Sequence, residues 1–304
     1  MNCLLCKSDG AKKIEKLTDF TIWRCETCGI EFSDPLKAGS AEYYSAFTEY
    51  GDKWEFLEVP RKLRERGVTG KLLDLGCGDG RFLQSVSDDF AVTGLDFNPR
   101  AIEVARQGRG IQQVHSLSLK DFSTFKPGLF FNVVSAFHIL EHLEDPVNFL
   151  RDIKKVLAEN GVLALSVPNP KRWALAFGRE NWDWPPHHLT RWTEKSLRMA
   201  LDQAGFRVDE ICSEPVTTFA QVKSGVQDIV WAKVIKNFSF GIASKLTVSG
   251  SQSADAAKKG VRSLLVACKT TMIRIFVFVV AIIFAPFLIL LNRKGKTLLV
   301  LAKK

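Results

Sequence analysis

Acidic residues all but vanish beyond residue 220 of this 304-residue chain: residues 221–304 hold 14 Lys and Arg against 2 Asp and Glu. The first 220 residues carry 28 basic and 31 acidic side chains, so the net charge of +9 belongs to the C-terminal third alone. A nucleic-acid footprint would extend over the folded core as well, so the asymmetry points to an anionic membrane surface and makes nucleic acid an unexpected partner. No apolar run follows a basic start in MNCLLCKSDG, so no secretory leader is expected and the cytoplasm is the expected compartment. No internal repeat or low-complexity tract interrupts the chain, which excludes solenoids and leaves room for one α/β domain with an appendage.

Cysteine is sparse outside two pairs. Cys77, Cys212 and Cys268 stand singly, whereas Cys3-x2-Cys6 and Cys25-x2-Cys28 enclose 18 residues. That is the spacing of a tetrahedral four-cysteine zinc site, the alternative being two disulfides that a reducing compartment disfavours. The intervening KKIEKLTDFTIWRC suits a β-ribbon too small to have a core, so the metal would be structural and supply its folding energy.

Residues 71–80, KLLDLGCGDG, read as a buried strand breaking into a turn with Gly76, Gly78 and Gly80, after which RFL starts a helix. Asp96 closes the next apolar strand 20 residues after Gly76, where a carboxylate can accept both ribose hydroxyls of a nucleotide cofactor. A dinucleotide fingerprint needs a third glycine at position 81, which is Arg81, and a pyrophosphate would be repelled by Asp74 and Asp79. An acidic glycine turn instead suits S-adenosylmethionine, whose ammonium and sulfonium are cationic.

Strands at 71–75, 90–96, 111–115, 131–137 and 161–167 alternate with helices at 80–87, 99–107 and 146–158, which makes a parallel, doubly wound α/β sheet. FRVDEIC and GKTLLVLAKK read as two further strands. The segments LLDLGCGDGRFL, GLDFNPRAIEVAR, FNVVSAFHILEHLEDPVNFLRDIKKVLAENGVLALSVPN and PPHHLTRWTEKSLRMALDQAGF resemble class I S-adenosylmethionine-dependent methyltransferases, in the branch holding sugar and ubiquinone-type O-methyltransferases. The resemblance implies a Rossmann-like seven-stranded methyltransferase sheet, its last strand at 297–303 inserted antiparallel between 161–167 and 206–212. It also implies that Gly76 and Gly78 line the methionine moiety, that Asp96 holds the ribose and Phe97 flanks the adenine, and that Phe137 with His138 sits beneath the cofactor. Asp74 and Cys77 complete the expected cofactor-binding set; for Phe97 and Phe137 ordinary core packing is the alternative.

Four of the five histidines fall in His138-Ile-Leu-Glu141-His142 and Pro185-Pro186-His187-His188. A helical turn would place 138, 141 and 142 on one side. The pattern H-x-x-E-H with a later H-x-x-x-W-T is similar to some metal-assisted O-methyltransferases of the superfamily, departing where His138 replaces an acidic ligand. Three roles stay open: His142 or His188 as general base on a hydroxyl, Glu141 with His142 and His188 gathering a catalytic divalent ion, or plain hydrogen-bonded structure. The stretch PKRWALAFGRENWDWPPHHLTRW, at the carboxyl edge of the sheet, reads as a substrate lid whose Arg172, Arg179 and Arg191 suit a sugar or anionic acceptor, or else as an aromatic plug.

Residues 275–291, IFVFVVAIIFAPFLILL, are apolar throughout and flanked by Lys and Arg on both sides. If 297–303 rejoins the sheet, both ends of this run lie on one side of a membrane, which implies an in-plane or re-entrant helix, with a buried core or dimer helix as the alternative. The expected organisation is therefore a zinc ribbon over 1–34, a methyltransferase domain over 40–213 plus 296–304, and a basic, hydrophobic helical insertion over 214–295. The expected substrate is a small or lipid-linked acceptor at the cytoplasmic membrane face. An RNA methyltransferase or a noncatalytic scaffold is the competing reading. No basic aromatic patch adjoins the core, and FHIL stands where base-amine methylation would need an N-P-P-Y tetrad.

Overall fold

The computed structural model describes residues 1–39, 51–172, 175, 181–215 and 295–304. Two sheets organise them. The larger has the strand order β10-β11-β8-β7-β4-β5-β6. Its strands are β4 (Gly70–Leu75), β5 (Phe90–Leu95), β6 (Val114–His115), β7 (Phe131–Phe137), β8 (Leu157–Pro168), β10 (Arg207–Ser213) and β11 (Thr297–Lys303). β4, β5, β6, β7 and β8 pair in parallel, and β11 runs antiparallel between β8 and β10, as the resemblance implies. The central strands are continuous runs of Leu, Val and Ala because helices cover both faces: Leu72, Leu73, Val133, Val134, Leu163 and Leu165 are wholly buried.

The helices are α1 (Glu55–Glu65), α2 (Arg81–Val86), α3 (Pro99–Arg109), α4 (Leu119–Phe125), α5 (Pro146–Val156) and α6 (Glu194–Gln203). Their ends follow capping chemistry. Asn98, Ser118 and Asp145 each accept a backbone N–H of the first turn, and Pro99 and Pro146 open α3 and α5 where their missing donor costs nothing. A reciprocal box between Thr193 and Ser196 starts α6. The strand expected over 111–115 shrinks to Val114–His115, because Gly110 ends α3 in a left-handed conformation and the next three residues are used in turning back to the sheet.

Chain order runs outward from β4 through β5 to β6, then returns to β7 on the other side of β4. The crevice between the carboxyl ends of β4 and β7 is therefore the topological switch point, where open α/β sheets bind ligands.

The second sheet has the order β1-β2-β3-β9, with β1 (Ala11–Lys16), β2 (Thr21–Cys25), β3 (Glu31–Asp34) and β9 (Thr190–Arg191). Its first three strands are the expected ribbon; the fourth comes from the segment after His188. The ribbon is thus no free-standing bead. Leu5, Ile30 and Phe32 belong to one buried cluster with Trp192, Leu197 and Leu201 of the main domain.

The hydrophobic run at 275–291 and the segment AEYYSAF, whose sequence reads as a helix leading into the sheet, lie outside the described residues. Both ends of the insertion are described. Glu214 donates its N–H to Thr297 O (2.9 Å) and accepts that of Gly295 (3.1 Å), while the buried Asn169, just past β8, bonds the carbonyls of Gly295 and Lys296 (3.0 and 2.7 Å). The two ends are pinned together at the carboxyl edge of the sheet. No helix among the described residues is long and apolar enough to cross a membrane.

Candidate active site at the carboxyl edge of the sheet

Backbone close approach builds the glycine turn. Gly76 and Cys77 donate their N–H groups to Leu95 O (2.7 and 3.0 Å), which folds the turn back over β5. Gly76 has φ +69°, and a Cβ there would come within 2.3 Å of Ile139 Cδ1. The Ile139 methyl could swing aside, but the left-handed φ favours glycine where the turn meets the segment after β7. Asp96 is half-buried; its two carboxylate oxygens accept Gly78 N and Asn98 N (both 2.8 Å), which fixes the carboxylate at the mouth of the turn. Burial raises its pKa. Phe97 beside it is 77% exposed, so it is an uncovered aromatic face rather than core. A cradle without Cβ, an oriented carboxylate and an exposed ring fit the methionyl, ribose and adenine parts of S-adenosylmethionine.

Three expectations about this turn change. Asp74 is wholly enclosed beneath it, accepts Ser135 Oγ (2.7 Å), and burial drives its pKa up to about 7, so it carries only part of a negative charge at neutral pH. Asp79 is neutralised by Arg81 and Arg109 at 3.0 and 2.9 Å. The acidity expected to separate a sulfonium from a pyrophosphate is thus weakened at Asp74 and ion-paired at Asp79, which leaves Asp96 as the carboxylate at the mouth of the turn. The Cys77 side chain points into the core beside Phe82 and Leu83, its thiol pKa raised by burial, which leaves only its backbone facing the crevice. Phe137 is buried against Phe56 and Phe82, with ring centroids at 5.9 and 4.8 Å, and is a core residue.

The histidines gather next to the turn. His138 has φ +56°, a conformation that costs a non-glycine residue about 1–2 kcal/mol, and its backbone N–H bonds Ser166 O at 2.9 Å. Residues Leu140–His142 form a single 3-10 turn rather than an α-helical one. His138 Nε2 donates to Glu55 Oε1 (2.8 Å), and its Nδ1 faces Glu141 Oε1 at 3.5 Å. Burial opposes charge on this ring, but the two carboxylates outweigh it and raise its pKa. Glu141 is 1% exposed, with neither oxygen hydrogen-bonded among the described residues. Burial alone would raise its pKa; the surrounding His138, His142 and His188 bring it down to about 2.

His142 Nδ1 lies 2.5 Å from His187 O. A carbonyl only accepts, so Nδ1 carries the proton and Nε2 the lone pair of the neutral ring. Burial lowers the His142 pKa, which keeps it neutral. His187, the histidine left out of the sequence-derived set, stacks on His188 and is lowered to about 4 by burial and by His142 and His188. The buried His188 donates Nδ1–H to Asp183 Oδ1 (3.1 Å) and turns Nε2 toward Glu141 Oε1 (3.9 Å). Burial raises and His188 with Arg172 lowers the Asp183 pKa, the net being downward. One nitrogen from each of His142, His187 and His188 lies within 4.8 Å of the other two, so the group able to share an ion is this triad and not Glu141, His142 and His188.

The lid arginines also change role. Arg172 is 2% exposed and bonds Asp183 Oδ2 at 2.7 Å, and Arg191 pairs with Glu31 at 2.8 Å, so neither is available to an anionic acceptor. Arg179 lies outside the described residues. Reading the sequence found the His–Glu cluster but missed Glu55, Ser166 and Asp183, which hold it, and Ser135, which holds Asp74; only the acid in W-D-W, five residues before His188, offered a local clue.

In the ribbon, Cys3 Sγ lies 3.6 Å from Cys28 Sγ and Cys6 Sγ 3.5 Å from Cys25 Sγ, and all four sulfurs fall within 4.8 Å of one another. A tetrahedral zinc ion with bonds of about 2.3 Å spaces its sulfurs about 3.8 Å apart, so the residues fit one ion and not two disulfides. Leu5 N and Cys28 N point at Cys3 Sγ and Cys25 Sγ (3.4 and 3.5 Å), as donors to thiolates do.

A seven-stranded sheet with its last strand reversed, a glycine turn after β4 and a ribose-type acid after β5 define a class I S-adenosylmethionine-dependent methyltransferase. The chain belongs to the family described as methyltransferase domain, whose model matches residues 44–211. It is similar to the ubiquinone biosynthesis O-methyltransferase of Pasteurella multocida, 28% identical over 175 residues that cover 48% of this chain and 72% of that one. The mitochondrial ubiquinone biosynthesis O-methyltransferase of Schizosaccharomyces pombe is 35% identical over 101 residues, 32% of this chain and 37% of that one. Among solved structures, an S-adenosylmethionine-dependent methyltransferase from Archaeoglobus fulgidus aligns with a TM-score of 0.49 at 19% identity, over 88% of this chain and 95% of that one.

Proposed function

We propose that the protein methylates a hydroxyl oxygen of a small or lipid-linked acceptor, with His142 as general base. The observation that carries this is the His142 ring: burial holds it neutral, the His187 carbonyl fixes its tautomer, and its lone-pair nitrogen sits on the turn that follows Ile139, which packs on Gly76. S-adenosylmethionine, held at Gly76, Gly78, Asp96 and Phe97, supplies the methyl group on a sulfonium. Methyl transfer by in-line displacement needs positioning and the removal of one proton from the acceptor. His142 takes that proton, Glu141 lies close enough to stabilise the imidazolium that results, and Asp183 with Arg172 orients His188 beside it. The names of the curated relatives favour oxygen as the methylated atom.

The lipid-linked acceptor is supported by the apolar run at 275–291 and by the pinned ends of the insertion at the same sheet edge as the histidines. Cys3, Cys6, Cys25 and Cys28 hold a structural zinc ion in a ribbon over 1–34, beside a methyltransferase domain over 40–213 plus 296–304 and a membrane-associating insertion over 214–295. A second reading, favoured by the three converging imidazoles, has His142, His187 and His188 bind a divalent ion that lowers the acceptor's pKa.

Purified protein incubated with methyl-labelled cofactor and fractionated lipid and polysaccharide extracts tests the first reading. Label should enter an alkali-stable ether in a lipid fraction, and His142→Gln should stop it while S-adenosylhomocysteine still binds. Label in RNA, or full activity in the variant, would refute it. Metal analysis before and after chelation separates the second reading, which needs a metal in excess of the one at the cysteines.

A further inference from the structure

The ribbon touches the histidine cluster through one continuous set of bonds. Leu189, directly after His188, donates its N–H to Glu141 O (2.8 Å) and accepts Ser33 N with its carbonyl (2.9 Å). Thr190 and Arg191 then pair with Phe32 and Glu31 as β9 against β3. The Arg191 guanidinium donates Nε–H to Glu31 Oε2 (2.8 Å) and a terminal N–H to the backbone carbonyl of Asp183 (3.0 Å), and it stacks over Trp184 at 5.1 Å. Asp183 in turn accepts His188 Nδ1–H. The Glu31–Arg191 pair is largely shielded, with side chains 15% and 10% exposed, so water competes with it weakly. The Glu31 pKa is held down against burial by Arg191 and Arg24, which keeps the pair charged at neutral pH.

We infer that Glu31 in the ribbon is a positioning residue for His188, acting through Arg191 on the Asp183 turn. The inference rests on the reading of the histidine cluster as the acceptor side of the active site. The segment 181–188 has no strand or long helix of its own: it holds a three-residue 3-10 turn and otherwise irregular backbone. Its fixed points are therefore its side-chain anchors and the β3–β9 pairing beyond it. Asp183 also holds Arg172, so a shift of its backbone carbonyl moves a carboxylate that orients two groups at once. The carboxylate accepts from Nδ1 and thereby selects one imidazole tautomer; a histidine without that partner populates both and turns its other nitrogen away from Glu141. The ribbon is then part of the active-site wall, with β3 as the ruler that sets where His188 stands.

The test uses the full-length, zinc-loaded protein with 15N-labelled histidine, the His188 ring signals being assigned from their loss in His188→Gln. Wild type should show a single Nδ1–H tautomer. Glu31→Ala and Arg191→Ala should each collapse it to the averaged signal of a ring exchanging between tautomers, and the double variant should look no worse than either single one, since both changes cut the same link. Glu31→Gln, which retains an acceptor and the side-chain shape, should restore most of the wild-type pattern. S-adenosylhomocysteine affinity, assigned above to Gly78 and Asp96 in the turns after β4 and β5, should stay within about twofold in every variant. A wild-type His188 pattern in Glu31→Ala with affinity intact overturns the inference. So does loss of cofactor-product binding together with the tautomer, which would make Glu31 a residue of global folding. If His142→Gln leaves acceptor methylation untouched, the catalytic reading fails while the spectra still decide the link between Glu31 and His188.

Discussion

At the scale of single residues, two groups carry the site's response to pH. His142 has to be neutral to take a proton, and burial sets its pKa below the ordinary 6.5. The acid limb of kcat should therefore fall at a pH below 6.5, and His142→Gln should lower kcat by about 100- to 10,000-fold with cofactor affinity unchanged, measured by initial rates and calorimetry. Asp74 works on stability instead. Its native pKa of about 7 lies above the ordinary 3.8, so the native state binds the extra proton between these values. The stability attached to that proton is complete below pH 3.8 and is lost as pH rises through about 7. Thermal unfolding of Asp74→Asn should therefore show a smaller drop in Tm from pH 5 to pH 8 than wild type. Phe97→Ala, which removes an exposed ring from the crevice, should weaken S-adenosylhomocysteine binding about 2- to 10-fold without changing Tm.

At the scale of elements, the sheet was legible because its code is redundant. Apolar runs flanked by glycine and helix caps name β4, β5, β7 and β8, and the reversed final strand followed from the family resemblance. The site was legible only where its chemistry sits in contiguous residues: the glycine turn, Asp96, and the pairs around His138 and His188. Glu55, Ser166 and Asp183 were not, because what makes them functional is a neighbour more than 80 residues away or a side-chain direction that spacing does not encode. Phe137 and Cys77 misled for the opposite reason: they lie in the right stretch of chain, and the alternation of the strand and the tilt of the turn point them inward. The ribbon deceived in a third way, since a four-cysteine motif reads as a separate bead until β9 closes its sheet. Removal of the proposed zinc ion by chelation should therefore do more than unfold residues 1–34. Hydrogen exchange should accelerate at Thr190 as well as at Ile22 and Phe32, whereas protection of Leu73 and Val134 in the main sheet should persist.

At the scale of the whole molecule, charge and hydrophobicity divide unequally along the chain, and so should the assays. Under the proposed membrane association, Asp96→Ala should lose cofactor binding while retaining sedimentation with vesicles containing anionic lipid. That sedimentation should weaken as salt rises, since the excess of Lys and Arg lies beyond residue 220. Loss of both properties together would mean that the two functions share one surface.

β11 fills the gap between β8 and β10, yet it is made after everything else described here. During synthesis on the ribosome, β8 emerges with one edge bare and β10 has no neighbour to join. The long apolar run must leave the exit tunnel before the strand that completes the sheet can arrive. The catalytic sheet is therefore closed by the last of the described strands to be made, and a chain that stopped short of Thr297 would leave the facing edges of β8 and β10 without backbone partners.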